Sequence, residues 1–280
     1  MKLSAPAKVN LHLRILHRRE DGFHDIETLM VPLSLADEVS VTVTSEGPIS
    51  LSCDQADVPL GDGNLATRAA QLFARETGRT FGAEIHLTKR IPMGAGLGGG
   101  SSDAAAVFVA LDALLETRLG VEALERMAGL LGSDISFFIR RTPAWCRGRG
   151  ELITPCAVPE ELPLLLVRPP FGVDTPWAYK NWAGSRSIRP ELEAAQDLGW
   201  VSVVNSLERP VFEKYLLLPA MKAWLLEQPE TRVAAMSGSG STMFAVLKNE
   251  ADGPALEARV RETFGDSLWT NLCRTVGGPA

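Results

Sequence analysis

Pro92-Met93-Gly94-Ala95-Gly96-Leu97-Gly98-Gly99-Gly100-Ser101-Ser102-Asp103 places five glycines within seven residues, followed by two hydroxyls and a carboxylate. Backbone with so few Cβ atoms can bend sharply and turn consecutive N–H groups toward one point. An alanine-rich helical pattern begins directly behind it: Val107, Phe108, Leu111, Leu114 and Leu115 recur at helical spacing over Ser102–Leu115. A helix N-terminus behind a glycine loop is a site for anions, phosphate above all. Five glycines carry a large entropic cost for a loop that only packs.

Several phosphate loops can be tested against this run. A Walker A loop needs a lysine where Gly100 stands, so that template fails. The dinucleotide fingerprint matches through Gly94, Gly96 and Gly99, but Lys89-Arg90-Ile91-Pro92 separates the glycines from the preceding strand, and no alternating βαβ pattern is evident before it. A nucleophile elbow fails because Ser101 and Ser239 each lack a flanking glycine.

Outward from the loop, Val9, Leu11, Leu13 and Ile15 alternate with Lys8, Asn10, His12 and Arg14, which predicts a half-buried strand with Lys8 and Asn10 on its polar face. Val39–Thr44 predicts a second strand, with Ile49, Leu51 and Cys53 as its hairpin partner across Glu46-Gly47-Pro48. Asn64 predicts a helix cap, with the helix running to Thr77 and stopping at Gly78. Ala83, Ile85 and Leu87 predict the strand entering the glycine loop. Further helices are predicted over Val121–Leu131 and Ala251–Phe264, and over Pro176–Asn181 with Thr175 as cap. Strands are predicted at Leu164–Val167, Val233–Met236, Met243–Leu247 and Leu268–Cys273. Ser237-Gly238-Ser239-Gly240-Ser241 forms a second small-residue loop. The Gly- and Pro-rich stretch Gly148–Pro163 predicts a domain boundary. The expected organisation is two α+β domains, 1–157 and 158–280.

Composition bounds the function. The chain has 280 residues and a net charge of −6, which gives no overall basic field for nucleic acid or an anionic membrane. Four scattered cysteines, Cys53, Cys146, Cys156 and Cys273, lack metal-ligand spacing and read as free thiols in a reducing compartment. Met1–Leu16 has no continuous apolar segment of the signal-peptide kind, and no apolar stretch is long enough to span a bilayer, so a cytoplasmic protein is expected. His12, His17 and His86 show no partner pattern.

Pro92 to Ser102 resembles the second motif of the GHMP small-molecule kinases. Ala5-Pro6-Ala7-Lys8-Val9-Asn10-Leu11 is similar to their first motif and Met236–Ser241 to their third, in the family's order and across essentially the whole chain. Arg19-Glu20-Asp21-Gly22-Phe23-His24, Leu131-Gly132-Ser133-Asp134, Thr175-Pro176 and Asn205-Ser206-Leu207-Glu208 narrow the resemblance to members whose alcohol acceptor carries a cytidine diphosphate, in the non-mevalonate (MEP) isoprenoid route.

The resemblance implies a two-domain GHMP fold with the active site in the interdomain cleft. It implies ATP as donor, with Mg²⁺ accompanying it and Ser102 as a possible ligand. ATP would be bound by Asn64 and by Pro92, Met93, Gly94, Ala95, Gly96, Leu97, Gly98, Gly99, Gly100, Ser101 and Ser102. Asp134 would be the general base and Lys8 its partner. Asn10, Phe23, His24, Pro176, Tyr179, Gly238, Ser239 and Gly240 would bind the substrate. Other roles compete: Ser133 and Asp134 suit a helix cap, Lys8 a solvated surface, and Phe23 and Tyr179 ordinary packing. Two departures stand out. The family commonly has tyrosine at Phe23, and a proline at Ser136, whose absence is expected to loosen the element after Asp134. A monomer or weak homodimer is expected. The alternatives are a GHMP kinase of homoserine, mevalonate or a sugar, and a catalytically silent nucleotide sensor.

Overall fold

The computed structural model describes residues 1–277. β1 (Lys2–Arg18) and β2 (His24–Thr44) form a long antiparallel pair joined by a turn at Gly22. Register shifts interrupt the pair at Pro6/Lys8, Asn10/His12 and Ile15/His17. Such bulges bend a strand and raise its twist. The period-two pattern of β1 is real, but the strand is not half-exposed: Lys8, Asn10 and His12 are buried along with Val9 and Leu11. Ala7, Val9 and Leu11 pack on the second sheet, Ala5 packs in the helix-covered core, and Lys8 and Asn10 face the cleft.

β3 (Ile49–Cys53) does not form the expected hairpin with β2. After β3 the chain passes through α1 (Leu65–Thr77) into β4 (Gly82–Thr88), which inserts between β3 and β2, parallel to β3 and antiparallel to β2. The reason is reach: Pro48 O accepts Ala83 N, so the Glu46–Pro48 turn opens to admit β4 rather than closing on β2. Gly82 permits the approach, because a Cβ there would lie 2.4 Å from Thr44 Oγ1. A βαβ unit therefore does precede the glycine loop, contrary to the sequence pattern. The Asn64 side chain caps α1 by accepting Ala66 N, and Gly78 ends it in the left-handed conformation, both as the sequence predicts.

α2 (Gly99–Leu114) begins three residues earlier than expected, inside the glycine run. It packs on β1, β2 and α1 and buries Ala104–Phe108. α3 (Val121–Gly129) and α4 (Ser133–Arg140) complete this layer. Ser136, where the resemblance led one to expect proline, donates its hydroxyl to Glu125 O at 2.8 Å and ties α4 to α3 instead of loosening it. β5 (Ala144–Gly148) extends β2, and β6 (Leu152–Pro155) pairs with β5.

The chain then crosses to a four-stranded antiparallel sheet. Its order is β10 (Thr231–Met236), β11 (Met243–Leu247), β7 (Pro163–Arg168), β12 (Trp269–Arg274). Around it lie α5 (Thr175–Asn181), α6 (Pro190–Glu193), α7 (Glu208–Lys214), α8 (Leu217–Glu227) and α9 (Gly253–Phe264). The cap of α5 is Asp174, whose side chain accepts Trp177 N; Thr175 is already helical. β8 (Gln196–Asp197) and β9 (Ser202–Asn205) return to the first sheet, where β9 lies parallel to β1. The architecture is α+β, with the two sheets packed face to face through Val9, Leu11, Leu29 and Val31 on one side and Leu164, Leu166, Phe244 and Val246 on the other. Among the described residues no helix is long and apolar enough to cross a membrane. The four cysteines are free thiols.

Candidate active site

A cleft of about 910 Å³ opens where β1, the glycine loop, α4, α5 and the β10–β11 loop converge. That is near the upper end of ligand-pocket sizes, as a site for two substrates requires. Lys8, Asn10, Phe23, His24, Asn64, Pro92–Gly96, Gly98–Ser101, Asp134, Pro176, Tyr179, Gly238 and Ser239 all line it. Leu97 points into the core between the sheets. Ser102 and Gly240 are buried behind the wall, Gly240 against Met236 and Val173.

Two positive-φ glycines show why the loop tolerates nothing larger. Gly96 has φ +76, and a Cβ there would lie 2.2 Å from Ser237 O. Gly98 has φ +73, and its Cβ would meet Phe138 at 2.7 Å and Lys8 Cγ at 3.2 Å. The two glycine loops thus meet backbone to backbone, joined by Ser237 Oγ donating to Gly96 O at 2.9 Å and Thr242 N to Ala95 O at 3.2 Å. α2 starts at Gly99, so its first-turn amides lack carbonyls four residues back and are available to an anion.

Lys8 Nζ donates to Asn10 Oδ1 at 2.6 Å and to Gly96 O at 2.9 Å. Asn10 Nδ2 in turn donates to Thr28 Oγ1 at 2.8 Å. Burial lowers the Lys8 pKa, and the nearby Asp134 charge opposes that shift. Asp134 sits in the first turn of α4, whose cap is Gly132; neither Ser133 nor Asp134 caps it through a side chain. Two of the three ammonium protons of Lys8 go to Asn10 and Gly96, and among the described residues no hydrogen bond or ion pair holds the Asp134 carboxylate, which lines the cleft. Phe138, on the same helix as Asp134, packs against Gly98, so α4 contacts the glycine loop directly.

At the cleft mouth Phe23 is exposed, with the Arg149 guanidinium 5.0 Å from its ring centroid. His24 lies behind it, 5.6 Å from Tyr179 and 6.0 Å from Trp182 between centroids. Burial, then Arg18, lowers the His24 pKa, which favours neutral imidazole near pH 7. Burial, then the Asp134 charge, raises that of Tyr179 and keeps its phenol protonated. Thr175 and Ser239 share a hydrogen bond of 2.7 Å across this wall. Asn64 is fully used: it caps α1 and donates to Pro59 O at 2.9 Å.

Sequence reasoning missed Arg18, Lys89, Asp103, Arg149 and Lys180, all of which line the cleft. No periodicity marks them; only the fold collects them. Asp103 and Lys89 are the most deeply set, and Lys89 joins two carboxylates. Its ammonium bonds both Asp37 and Asp103, while Asp37 Oδ1 accepts Arg90 N and Ile91 N at the neck of the glycine loop. Burial opposes the charge on Lys89, but the two carboxylates outweigh it and raise its pKa. Burial pushes Asp103 up to about 7, against the pull of Lys89. His12, His17 and His86 are not partnerless: they contact Ser202 O, Asp25 and Ser52 respectively.

Among the described residues, buried Ser102 Oγ and Asp103 Oδ1 have no hydrogen-bond partner at the start of α2. Hard oxygen donors fit Mg²⁺, and an ion held mainly by nucleotide phosphates needs few protein ligands. Among the described residues there is no group of three or more His, Cys, Asp or Glu that could hold a metal.

An anion cradle at a helix start, a facing carboxylate and a nucleobase-sized aromatic mouth define a small-molecule kinase. The description "GHMP kinases N terminal domain" matches residues 64–141 and "GHMP kinases C terminal" residues 187–266. The chain belongs to the GHMP kinases, which are phosphotransferases that draw on ATP. It is 46% identical over 250 residues to the 4-diphosphocytidyl-2-C-methyl-D-erythritol kinase of Methylacidiphilum infernorum (88% of this chain, 86% of the relative). It is 39% identical over 299 residues to the protein of that name from Synechococcus sp. strain CC9605 (98% and 97%). A crystal structure of 4-(cytidine 5'-diphospho)-2C-methyl-D-erythritol kinase superposes with a TM-score of 0.78 at 36% identity, covering 99% of this chain and 100% of that one. Homoserine kinase from Cytophaga hutchinsonii shares the fold with a TM-score of 0.72 at 17% identity, over 100% and 95% of the two chains.

Proposed function

We propose that this kinase transfers the γ-phosphoryl group of ATP to the 2-hydroxyl of 4-diphosphocytidyl-2-C-methyl-D-erythritol, in the non-mevalonate (MEP) route to isoprenoid precursors. The observation that carries the reading is the unengaged Asp134 carboxylate beside a buried Lys8, in one cleft with the glycine loop and the Phe23–His24–Tyr179 mouth. Relatives that align over 88% and 98% of this chain carry that substrate in their names.

In this reaction the acceptor O–H gives its proton to Asp134 as its oxygen bonds Pγ, the β–γ bridging bond breaks, and ADP leaves. Lys8 steadies negative charge on the moving phosphoryl group. The Gly94–Ser101 backbone cradles the triphosphate. Ser102 and Asp103 would offer oxygens to a Mg²⁺ ion, which would supply neutralisation of phosphate charge. Phe23 and Tyr179 hold the cytosine ring by its faces and neutral His24 reads its edge, with Asn10, Pro176, Gly238 and Ser239 around the acceptor. The same reading has the chain working in the cytoplasm as a monomer or weak homodimer, on a small molecule and not on nucleic acid.

ATP consumption is measured with the cytidyl substrate beside homoserine, mevalonate and galactose. Turnover of the cytidyl compound alone is expected; activity confined to one of the other three would overturn the assignment. Asp134→Asn and Lys8→Met are each expected to lower kcat by about 10²–10⁴-fold in a folded protein, and near-normal turnover would remove that residue from the mechanism.

A further inference from the structure

We propose that Asn205, backed by Glu208, is a positioning residue for phosphoryl transfer: it holds the Ser237–Ser241 loop at the height from which it closes over Gly96 and Lys8. The inference rests on the catalytic role given to Lys8 above.

Asn205 is buried at the end of β9, and its amide group is fully used. Its two Nδ2 protons go to Met236 O and Gly238 O, each at 2.7 Å, and its Oδ1 accepts Leu207 N at 2.9 Å. Both ends of the loop's first turn therefore hang on one side chain. Glu208 Oε1 accepts Met236 N at 2.8 Å, and its Oε2 takes Lys222 Nζ at 2.6 Å. Glu208 and Lys222 are almost wholly buried. A buried ion pair adds little net stability, because desolvation offsets its attraction. What this one does supply is a fixed acceptor at the base of the loop.

The loop's far side meets the catalytic lysine. A Cβ on Gly238 would lie 3.2 Å from Lys8 Nζ, 3.3 Å from Gly96 O and 3.4 Å from Asn10 Oδ1. Gly96 O is the shared acceptor of Lys8 and of Ser237 Oγ. Asn205 is also tied to the strand that carries Lys8: it lies opposite Leu13 in the β1–β9 pairing, and Ser206 N donates to Leu13 O at 2.8 Å. The backbone at Asn205 is thus paired to the strand that carries Lys8, while its side chain holds the loop above. Removing it leaves the glycine-loop, Phe23–His24 and Tyr179 walls in place but frees Gly238 and Ser239, the part of the wall that lids the lysine.

The test compares wild type, Asn205→Ala and Asn205→Ser for kcat, for KM of ATP and the cytidyl substrate, and for thermal midpoint. Asn205→Ala is expected to lose about 100-fold in kcat, the order of loss for a small misplacement of a catalytic group, with both KM values changed less than about threefold. Asn205→Ser keeps one donor and is expected to fall between. An unchanged kcat, or a rise in KM alone, overturns the inference. So does failure of both variants to fold, since Asn205 is then a folding residue. If wild type turns over the cytidyl substrate and Asn205→Ala matches it, only this inference fails. If wild type does not phosphorylate the cytidyl substrate, the functional reading fails and takes this inference with it.

Discussion

Lys8 shows how far a residue's setting departs from its type. Lysine is usually a solvated surface group, yet here it is buried, with its ammonium bonded to a side-chain amide and a loop carbonyl. His12, beyond the register shift that follows Asn10, is buried too. Its Nδ1 bonds Ser202 O at 2.7 Å, and its Nε2 has no partner. Burial lowers its pKa, with Arg14 adding to the shift and Ser202 and Glu27 opposing it. The sign follows from linkage. The unfolded histidine takes its proton near pH ~6.5, the folded one at lower pH, so stability present above ~6.5 is lost as pH falls through the folded value. The melting temperature is expected to fall between about pH 7.5 and 5.5, and His12→Asn to flatten part of that fall. Equal slopes in the two proteins would show that His12 does not carry the dependence. These burial effects were invisible in β1's alternation, which reports which residues share a face but not whether the polar face is covered.

At the scale of elements, the glycine run and the helix behind it were legible because glycine density and 3.6-residue spacing are local signals. The β3–β4 pairing was not, because it depends on a crossover through α1 that brings Ala83 onto Pro48 rather than Thr44 onto Ile49. The Asp37–Lys89–Asp103 cluster was illegible for the same reason: its members lie on β2, after β4 and on α2, and only the assembled layer brings them together. This cluster fixes the neck of the loop. Lys89→Met would leave two carboxylates buried without their cation, and breaking a buried pair in this way costs about 3–5 kcal/mol. Urea unfolding is expected to show a loss of that order, while Asp103→Asn, which leaves one lysine facing one aspartate, costs less. If Lys89→Met is no less stable than wild type, the ammonium is not what holds the neck.

The molecule as a whole is acidic, with a net charge of −6, yet ATP and the proposed cytidyl substrate are polyanions. The resolution is local: Lys8, Arg18, Arg149 and Lys180 outnumber Asp134 in the one cleft, while Lys89 is matched by Asp37 and Asp103. Low-dielectric walls around clustered charge focus its field on the opening and raise the local concentration of the anion. The deep and shallow members of this set must then respond differently to salt. Lys89 is enclosed by its carboxylates and barely screened. Arg149 sits at the mouth over Phe23, with the Glu151 carboxylate 3.8 Å from its guanidinium, where mobile ions reach it. Raising salt from about 0.05 to 0.5 M shortens the screening length to a few ångströms. It is therefore expected to raise KM for the cytidyl substrate several-fold with little change in kcat. Arg149→Gln is expected to start from a higher KM and to show a shallower salt slope, because one screened contact is already gone. Parallel slopes for the two proteins would place the salt-sensitive attraction on the other cleft cations, and a wild-type KM indifferent to salt would mean that the acidic surface outside the cleft cancels the field at its mouth.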